Sequence, residues 1–237
     1  MNRSRIAVLA SGGGSNLQAL VDHFDALGDA RAADVVLVGS NRSDAGALAR
    51  ARAAGIPTAV IASSRTPDGE ALGALLAHAD VDFVVLAGYL RLVPPDVTRR
   101  FAGRMINVHP GPLPDFGGPG MYGARVHRAV LASGMHMTGP TVHFVDELYD
   151  HGATIAHWPV PVIGGDDEHA VAARVLRAEH LLYPRVVQAV SSGAMAVRSG
   201  PVSLAAFDPS LDDASLGVLL DLAISPSSIQ GRTQTAN

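Results

Sequence analysis

The stretch Arg5–Leu20, RIAVLASGGGSNLQAL, decides the fold class. RIAVLAS at 5–11 is a short apolar run ending in glycines, as a buried parallel strand does. SNLQALVDHFDAL follows, with Leu17, Leu20, Val21 and Phe24 at helical spacing. The rhythm then repeats. DVVLVGS (34–40) reads as a strand and DAGALARARAAG as a helix closed by Gly55. PTAVIA (57–62), DGEALGALLAHA, DFVVLAG (82–88) and GRMINVH (103–109) continue as strand, helix, strand and strand. This alternation predicts an α/β, Rossmann-like fold: an open, mostly parallel sheet flanked by helices and joined by right-handed crossovers.

Beyond Pro110 the pattern changes. Gly111–Gly123 is rich in Gly and Pro and reads as a loop, and ARVHRAVLASG as a helix ending at Gly134. TGPTVHFVDE (138–147) and TIAHWPVPV (154–162) read as strands joined by the turn YDHGA, which predicts an antiparallel C-terminal part. DEHAVAARVLRAEHLLYPRVVQAVSSG reads as one long helix with Pro184 as a break or kink. Past Pro201 the chain turns Ser/Pro-rich, with one amphipathic patch at Leu216–Leu222. The expected organisation is a domain over 1–204 and an extension over 205–237, partly disordered or loosely docked.

Composition narrows the function classes. The 237 residues are 48% hydrophobic and 17% charged, enough apolar content for a substantial core. A net charge of −4 argues against a nucleic-acid partner held through phosphates. No apolar run is long enough to span a membrane, and Met1–Arg5 leads directly into a strand rather than a signal peptide, so a cytoplasmic protein is expected. Cysteine is absent, which excludes disulfides, thiolate catalysis and Cys-ligated zinc. Lysine is absent too; Schiff-base chemistry and the lysine of phosphate-binding GxxxxGK[ST] loops are therefore excluded.

Three segments carry candidate chemistry. In SGGGSN, backbone N–H groups of a glycine turn at a helix N-terminus suit a phosphate, with Ser15 and Asn16 as further donors or caps. A dinucleotide reading fails: the third glycine of GxGxxG is replaced by Leu17, and VGSNRSD offers Asn41 and Arg42 where an acid is needed. A monophosphate is the better ligand. In INVHPGPLPDFGG (106–118), Asn107 and His109 stand two residues apart and share one face at the C-terminal end of a strand. An amide there can hold a developing oxyanion, and an imidazole can move a proton near neutral pH. In TVHFVDELYDHG, Asp146, Glu147 and Asp150 crowd a turn beside His143 and His151. HExxH and EF-hand spacings are missing, so no metal is expected. Asp150 gains meaning if it meets His109, whose pKa a carboxylate would raise. Glu179 reads as a residue on a solvated helix face unless a ligand amine reaches it.

Taken in order, VLASGGGSNLQAL, VVLAGYLRLV, INVHP, TVHFVDELYDHG and RVLRAEHLLYP resemble the glycinamide ribonucleotide formyltransferases of the folate-dependent formyltransferase family, over roughly Arg5 to Arg198. The resemblance implies the formyltransferase fold and transfer of a formyl group from 10-formyltetrahydrofolate to the amine of 5-phosphoribosylglycinamide, a step of purine biosynthesis. It also implies residue roles. Gly14, Ser15 and Asn16 would hold the ribose phosphate and Glu179 the rest of the acceptor. Leu90, Arg91, Leu92 and Val93, with Asn107, would line the folate pocket. Asn107, His109 and Asp150 would be catalytic, with no metal. His109 would act as a cation sustained by Asp150.

This chain departs from the family in having Gly111-Pro112 where Ser-Leu is frequent, and in the long loop GGPGMYGARVH. The folate-contacting arginine of some members falls near Gly69, with Arg65 as a substitute. The partners implied are small molecules, with a homodimer left open. Two other readings stay open: another 10-formyltetrahydrofolate enzyme, either a hydrolase or a transferase with a different acceptor, and a phosphate-binding module without catalysis.

Overall fold

The computed structural model describes residues 3–61, 69–195 and 200–224. Arg65 and residues 225–237 of the tail lie outside that range. The first strand, β1 (Ser4–Leu9), pairs in parallel with β2 (Ala33–Ser40) and with β4 (Phe83–Leu86). β3 (Thr58–Val60) extends the sheet beyond β2, and β5 (Met105–His109) lies parallel to β4. The sheet then turns antiparallel. β7 (Thr141–Phe144) pairs with β5 on one side and with β8 (Thr154–His157) on the other. β10 (Val202–Ser203) closes the edge parallel to β8. The order β10-β8-β7-β5-β4-β1-β2-β3 is the open, mostly parallel sheet expected from the sequence, with its antiparallel C-terminal part.

The chain leaves β1 towards one edge and returns to β4 on the other side. That reversal places a crevice at the C-terminal ends of β1 and β4, where open α/β sheets bind ligands. Helices cover both faces. On one face lie α1 (Ser15–Leu27), α2 (Gly46–Ala53) and α6 (Glu168–Ser191), which pack Leu17, Leu20, Leu48, Val175 and Leu182 into the larger core. On the other, α3 (Glu70–His78) and α4 (Pro95–Arg100) contribute Leu72, Leu76 and Val97 to a second core that also takes Val93. α5 (Ala124–Ser133) leans on α6 and closes a small cluster of Phe116, Val126 and Val130.

The two long runs read as continuous strands are each divided. Gly139-Pro140 separates β6 (Met137–Thr138) from β7, and Trp158-Pro159 separates β8 from β9 (Val160–Pro161). β6 and β9 form their own antiparallel pair. Proline removes a ladder donor, which accounts for both divisions. Pro184, by contrast, does not break α6, which runs for 24 residues through it. The helix is braced by α1, α5 and α7 (Asp213–Ile224), so packing outweighs the loss of one backbone hydrogen bond.

Residues 205–224, read from the sequence as part of an extension, pack as follows. Phe207 is buried with its ring edge-on to Trp158 at 5.1 Å, and its N–H donates to the Pro159 carbonyl (2.7 Å). Trp158 Nε1 donates to the Ala205 carbonyl (3.1 Å). Leu216, Leu220 and Ile224 of α7 are buried in the larger core, and Arg177 and Arg185 of α6 pair with Asp213 and Asp221. Among the described residues no helix is long and apolar enough to cross a membrane.

Candidate functional site

Strand geometry aims the central pair. In β5 the apolar neighbours Ile106 and Val108 enter the larger core, while Asn107 and His109 take the opposite face. Register then supplies a partner: Asn107 stands across from His143 of β7. His143 Nδ1 donates to the Phe144 carbonyl (2.8 Å), so its Nε2 is a lone pair, and Asn107 Nδ2 donates to it at 3.1 Å. That bond orients the Asn107 amide. His143 was noted in the sequence only for its nearness to the acidic turn; its opposition to Asn107 needed the antiparallel register.

Asp150 completes the group. It sits in the turn after β7 with a left-handed backbone (φ 53°) and is largely buried. Its Oδ2 accepts from the Gly118 N–H (3.0 Å) and faces His109 Nδ1 at 3.4 Å, and its Oδ1 lies 3.4 Å from Asn107 Nδ2. The carboxylate therefore ties β5 to the Gly/Pro loop. Burial alone would raise its pKa. The neighbouring His143 and His109 rings and the Gly118 N–H outweigh that and hold it below the ordinary carboxylate value.

His109 does not behave as the sequence reading expected. Its Nε2–H donates to the Phe116 carbonyl (2.8 Å) and the ring is 3% exposed. Burial is the largest influence and lowers the imidazole pKa; Asp150 and Phe116 oppose it, and the net direction is down. In the resting site an ionised Asp150 therefore faces a neutral His109, not a cation. Desolvation outweighs the single carboxylate.

The loop's shape is set by close packing. A Cβ on Gly111 would lie 2.6 Å from Val126 Cγ1, so the backbone passes against α5 only because that side chain is missing. Thr141 Oγ1 holds the Gly111 carbonyl (2.8 Å). The Gly-Pro replacement of the frequent Ser-Leu is thus matched by its surroundings.

At the other end, Gly14 (φ 80°) turns the chain into α1 beneath α2, where a Cβ would meet Ala47 Cα at 2.6 Å. Ser15 opens the helix, and Asn16 Nδ2 donates to Glu179 Oε2 (2.6 Å) across α1 and α6. Glu179 is not on a solvated face: it is 7% exposed. Burial raises its carboxyl to about 7, opposed by the Asn16 bond. Ser11, which sequence reasoning passed over, links the glycine turn to the next segment. Its hydroxyl donates to Asn41 Oδ1 (2.6 Å) and accepts from the Leu90 N–H (2.9 Å).

One cleft of about 410 Å³ joins these groups. It is lined by Asn107, His109 and Asp150, by Asn16 and Glu179, and by Leu90. Gly14 and Ser15 lie outside its lining, as do Arg91, Leu92 and Val93. Arg91 and Leu92 are exposed, and Val93 is buried in the second core. Tyr89, Tyr149 and the 118–124 segment supply further walls.

Glu179 makes stability depend on pH. The folded carboxyl titrates at about 7 against 4.5 for an ordinary one. Between those values the folded chain keeps a proton that the unfolded chain has released, so stability is fully present below 4.5 and declines up to 7. The full gap corresponds to roughly 3 kcal/mol. Glu179→Gln escapes this loss, since its amide oxygen can still accept from Asn16. Its unfolding free energy relative to the parent is expected to rise by roughly that amount from pH 4.5 to pH 8. A difference that stays constant with pH would show that Glu179 is not a buried acid of raised pKa.

Comparison with known proteins agrees with this geometry. The formyl transferase family model matches residues 4–187. The chloroplastic phosphoribosylglycinamide formyltransferase of Vigna unguiculata is 41% identical over 208 residues, 86% of this chain and 66% of that protein. The phosphoribosylglycinamide formyltransferase of Escherichia coli K12 is 40% identical over 195 residues, 79% of this chain and 87% of that one. Among solved structures, glycinamide ribonucleotide transformylase 1 of Symbiobacterium toebii superposes with a TM-score of 0.76 at 36% identity, covering 84% of this chain and 92% of that one. The present chain spans just under two thirds of the length of the plant relatives. With most of its length matched by the family model, and with the sheet and cleft described above, the chain belongs to the formyl transferase family.

Proposed function

We propose that the chain transfers the formyl group of 10-formyltetrahydrofolate to the amine of 5-phosphoribosylglycinamide, the third step of de novo purine biosynthesis. One observation carries this reading: a single cleft holds the Asn107–His109–Asp150 group at one end and the buried Asn16–Glu179 pair at the other. The similarity to phosphoribosylglycinamide formyltransferases supports the choice of substrates. The glycine turn at Gly14, with Ser15 and Asn16, takes the phosphate, and Glu179 takes the adjoining part of the acceptor. Backbone groups of Leu90 to Val93 (Leu90, Arg91, Leu92, Val93) and the Asn107 amide meet the folate.

The amine nitrogen attacks the formyl carbon, and the carbonyl electron pair moves onto oxygen. Asn107 keeps its short bond to His143. The N–H now directed at Asp150 over 3.4 Å is the one that turns to the oxyanion. The new negative charge adds to that of Asp150 and favours protonation of His109, so the imidazole takes up the proton shed by the amine, handed on from Asp150 to Nδ1 across 3.4 Å, as the intermediate forms. Asp150 is the base within reach of the amine proton. Collapse breaks the carbon–N10 bond, and N10 takes that proton from His109 as it leaves, which returns the imidazole to its neutral form. Holding both substrates in one cleft supplies much of the rate.

The direct test follows absorbance as formyl is lost from 10-formyltetrahydrofolate, with and without the acceptor nucleotide. Loss that requires the acceptor and yields the formylated nucleotide is expected. Loss without it would hand the same residues to a hydrolase, and no loss under either condition would leave a binding module.

A further inference from the structure

His127 occupies the same cleft, and the steps above do not use it. It lies on α5, is 4% exposed, and lines the cleft together with Asn107, His109, Asp150 and Glu179. Its Nδ1 is sealed from solvent with no hydrogen-bond partner. Among the described residues five buried side-chain atoms lack a partner, and just two of them, Asn16 Oδ1 and His127 Nδ1, belong to residues lining this cleft. Buried polar groups are normally satisfied, so the unpartnered Nδ1 bears on which ring nitrogen carries the proton.

The ring's chemistry follows from its burial. Desolvation is the largest influence and lowers the imidazole pKa. Nearby His109 acts in the same direction and Glu168 opposes it; the net direction is down, so the ring is neutral at pH 7. A neutral imidazole carries one N–H. A sealed lone pair is tolerated better than a sealed N–H, which puts the bare nitrogen at Nδ1 and the proton on Nε2. Nε2–H is therefore the group available to a ligand in the cleft.

Position narrows the ligand to one of the two substrates. α1 and α5 both pack on α6, so Asn16, His127 and Glu179 share one wall. The Leu90–Val93 segment runs instead to the opposite face, where Val93 joins the α3–α4 core. Along the shared wall, Val126, the residue before His127 on α5, and His109 Nε2 both close on Gly111, lying 2.6 and 3.5 Å from where a Cβ would sit there, which puts His127 at the reacting end rather than the phosphate end. A neutral donor there suits a neutral amide oxygen.

We propose that His127 Nε2–H hydrogen-bonds the carbonyl oxygen of the acceptor's glycinamide group and so helps determine which amine is formylated. This rests on the proposed function. His127 binds substrate and takes no part in proton transfer.

Steady-state kinetics with each substrate varied in turn, on the parent chain, His127→Leu and His127→Gln, test it. The leucine variant is expected to raise the acceptor KM about tenfold, the loss of one hydrogen bond. Its folate KM and thermal midpoint should stay unchanged. Glutamine, whose amide nitrogen reaches the Nε2 position, is expected to stay within about threefold of the parent. Should the leucine variant fail to fold, His127→Asn replaces it. Its amide nitrogen overlays Nδ1 and falls short of the ligand, so the same tenfold rise is expected. An acceptor KM within twofold in these variants, an equal rise in both KM values, or no rescue by glutamine overturns the assignment. A parent chain that formylates no acceptor overturns the proposed function itself, and this inference with it.

Discussion

The Asp150→Asn variant is expected to fold like the parent and to lose at least about a hundredfold in kcat, the scale set by removing a preorganised electrostatic group. Asparagine tolerates the left-handed backbone that Asp150 adopts (φ 53°), and its side-chain oxygen can still accept from the Gly118 N–H. What disappears is charge. The carboxylate opposes the burial that lowers His109, so its removal pushes the imidazole further down and delays protonation as the oxyanion forms. It also takes away the base within reach of the attacking amine. Two measurements separate these effects from misfolding. Thermal unfolding should match the parent, and the His109 ring resonance, followed by NMR against pH, should titrate at a lower pH. Near-normal turnover in a folded variant would remove Asp150 from the mechanism.

What could be read from the sequence follows from the range of each interaction. Asn107 and His109 were legible because a strand's two-residue period fixes them on one face without any tertiary knowledge. Asp150 was legible as a candidate and no more, since its meeting with His109 depends on β7 folding back along β5. The partnership of His143 with Asn107 depends on that same register. Glu179 was misjudged for a related reason. A helix pattern shows one apolar stripe, but α6 is flanked by α1, α5 and α7, so a face that looks solvated by periodicity is closed. The protonation of His109 was the least legible feature. A carboxylate partner can be named from sequence, but the depth of burial that outweighs it cannot. The six-residue α4, starting on Pro95 after Pro94, is too short for any periodicity to show.

Ending the chain after Leu204 is expected to leave a protein that is insoluble or melts at least about 10 °C lower, a shift of the size that a few kcal/mol produces in a domain this large. The segment that this removes carries Phe207, Leu216, Leu220 and Ile224, all buried. Each such side chain contributes about 1.5–3 kcal/mol, and the four together rival the 5–15 kcal/mol that typically holds a domain folded. Their removal also bares Trp158 and the outer side of α6. Phe207→Ala grades the same effect, at about 3–5 kcal/mol for an aromatic cut from a core. Loss of activity should accompany loss of stability, because α6 joins the two regions. The helix that α7 braces carries Glu179 into the cleft. One turn on, it carries Tyr183, whose hydroxyl reaches the carbonyls of Leu86 (2.8 Å) and Ile106 (3.2 Å) beside Asn107. A truncated chain that kept its melting temperature and its turnover would show that residues 205–224 lie on the core without supporting it.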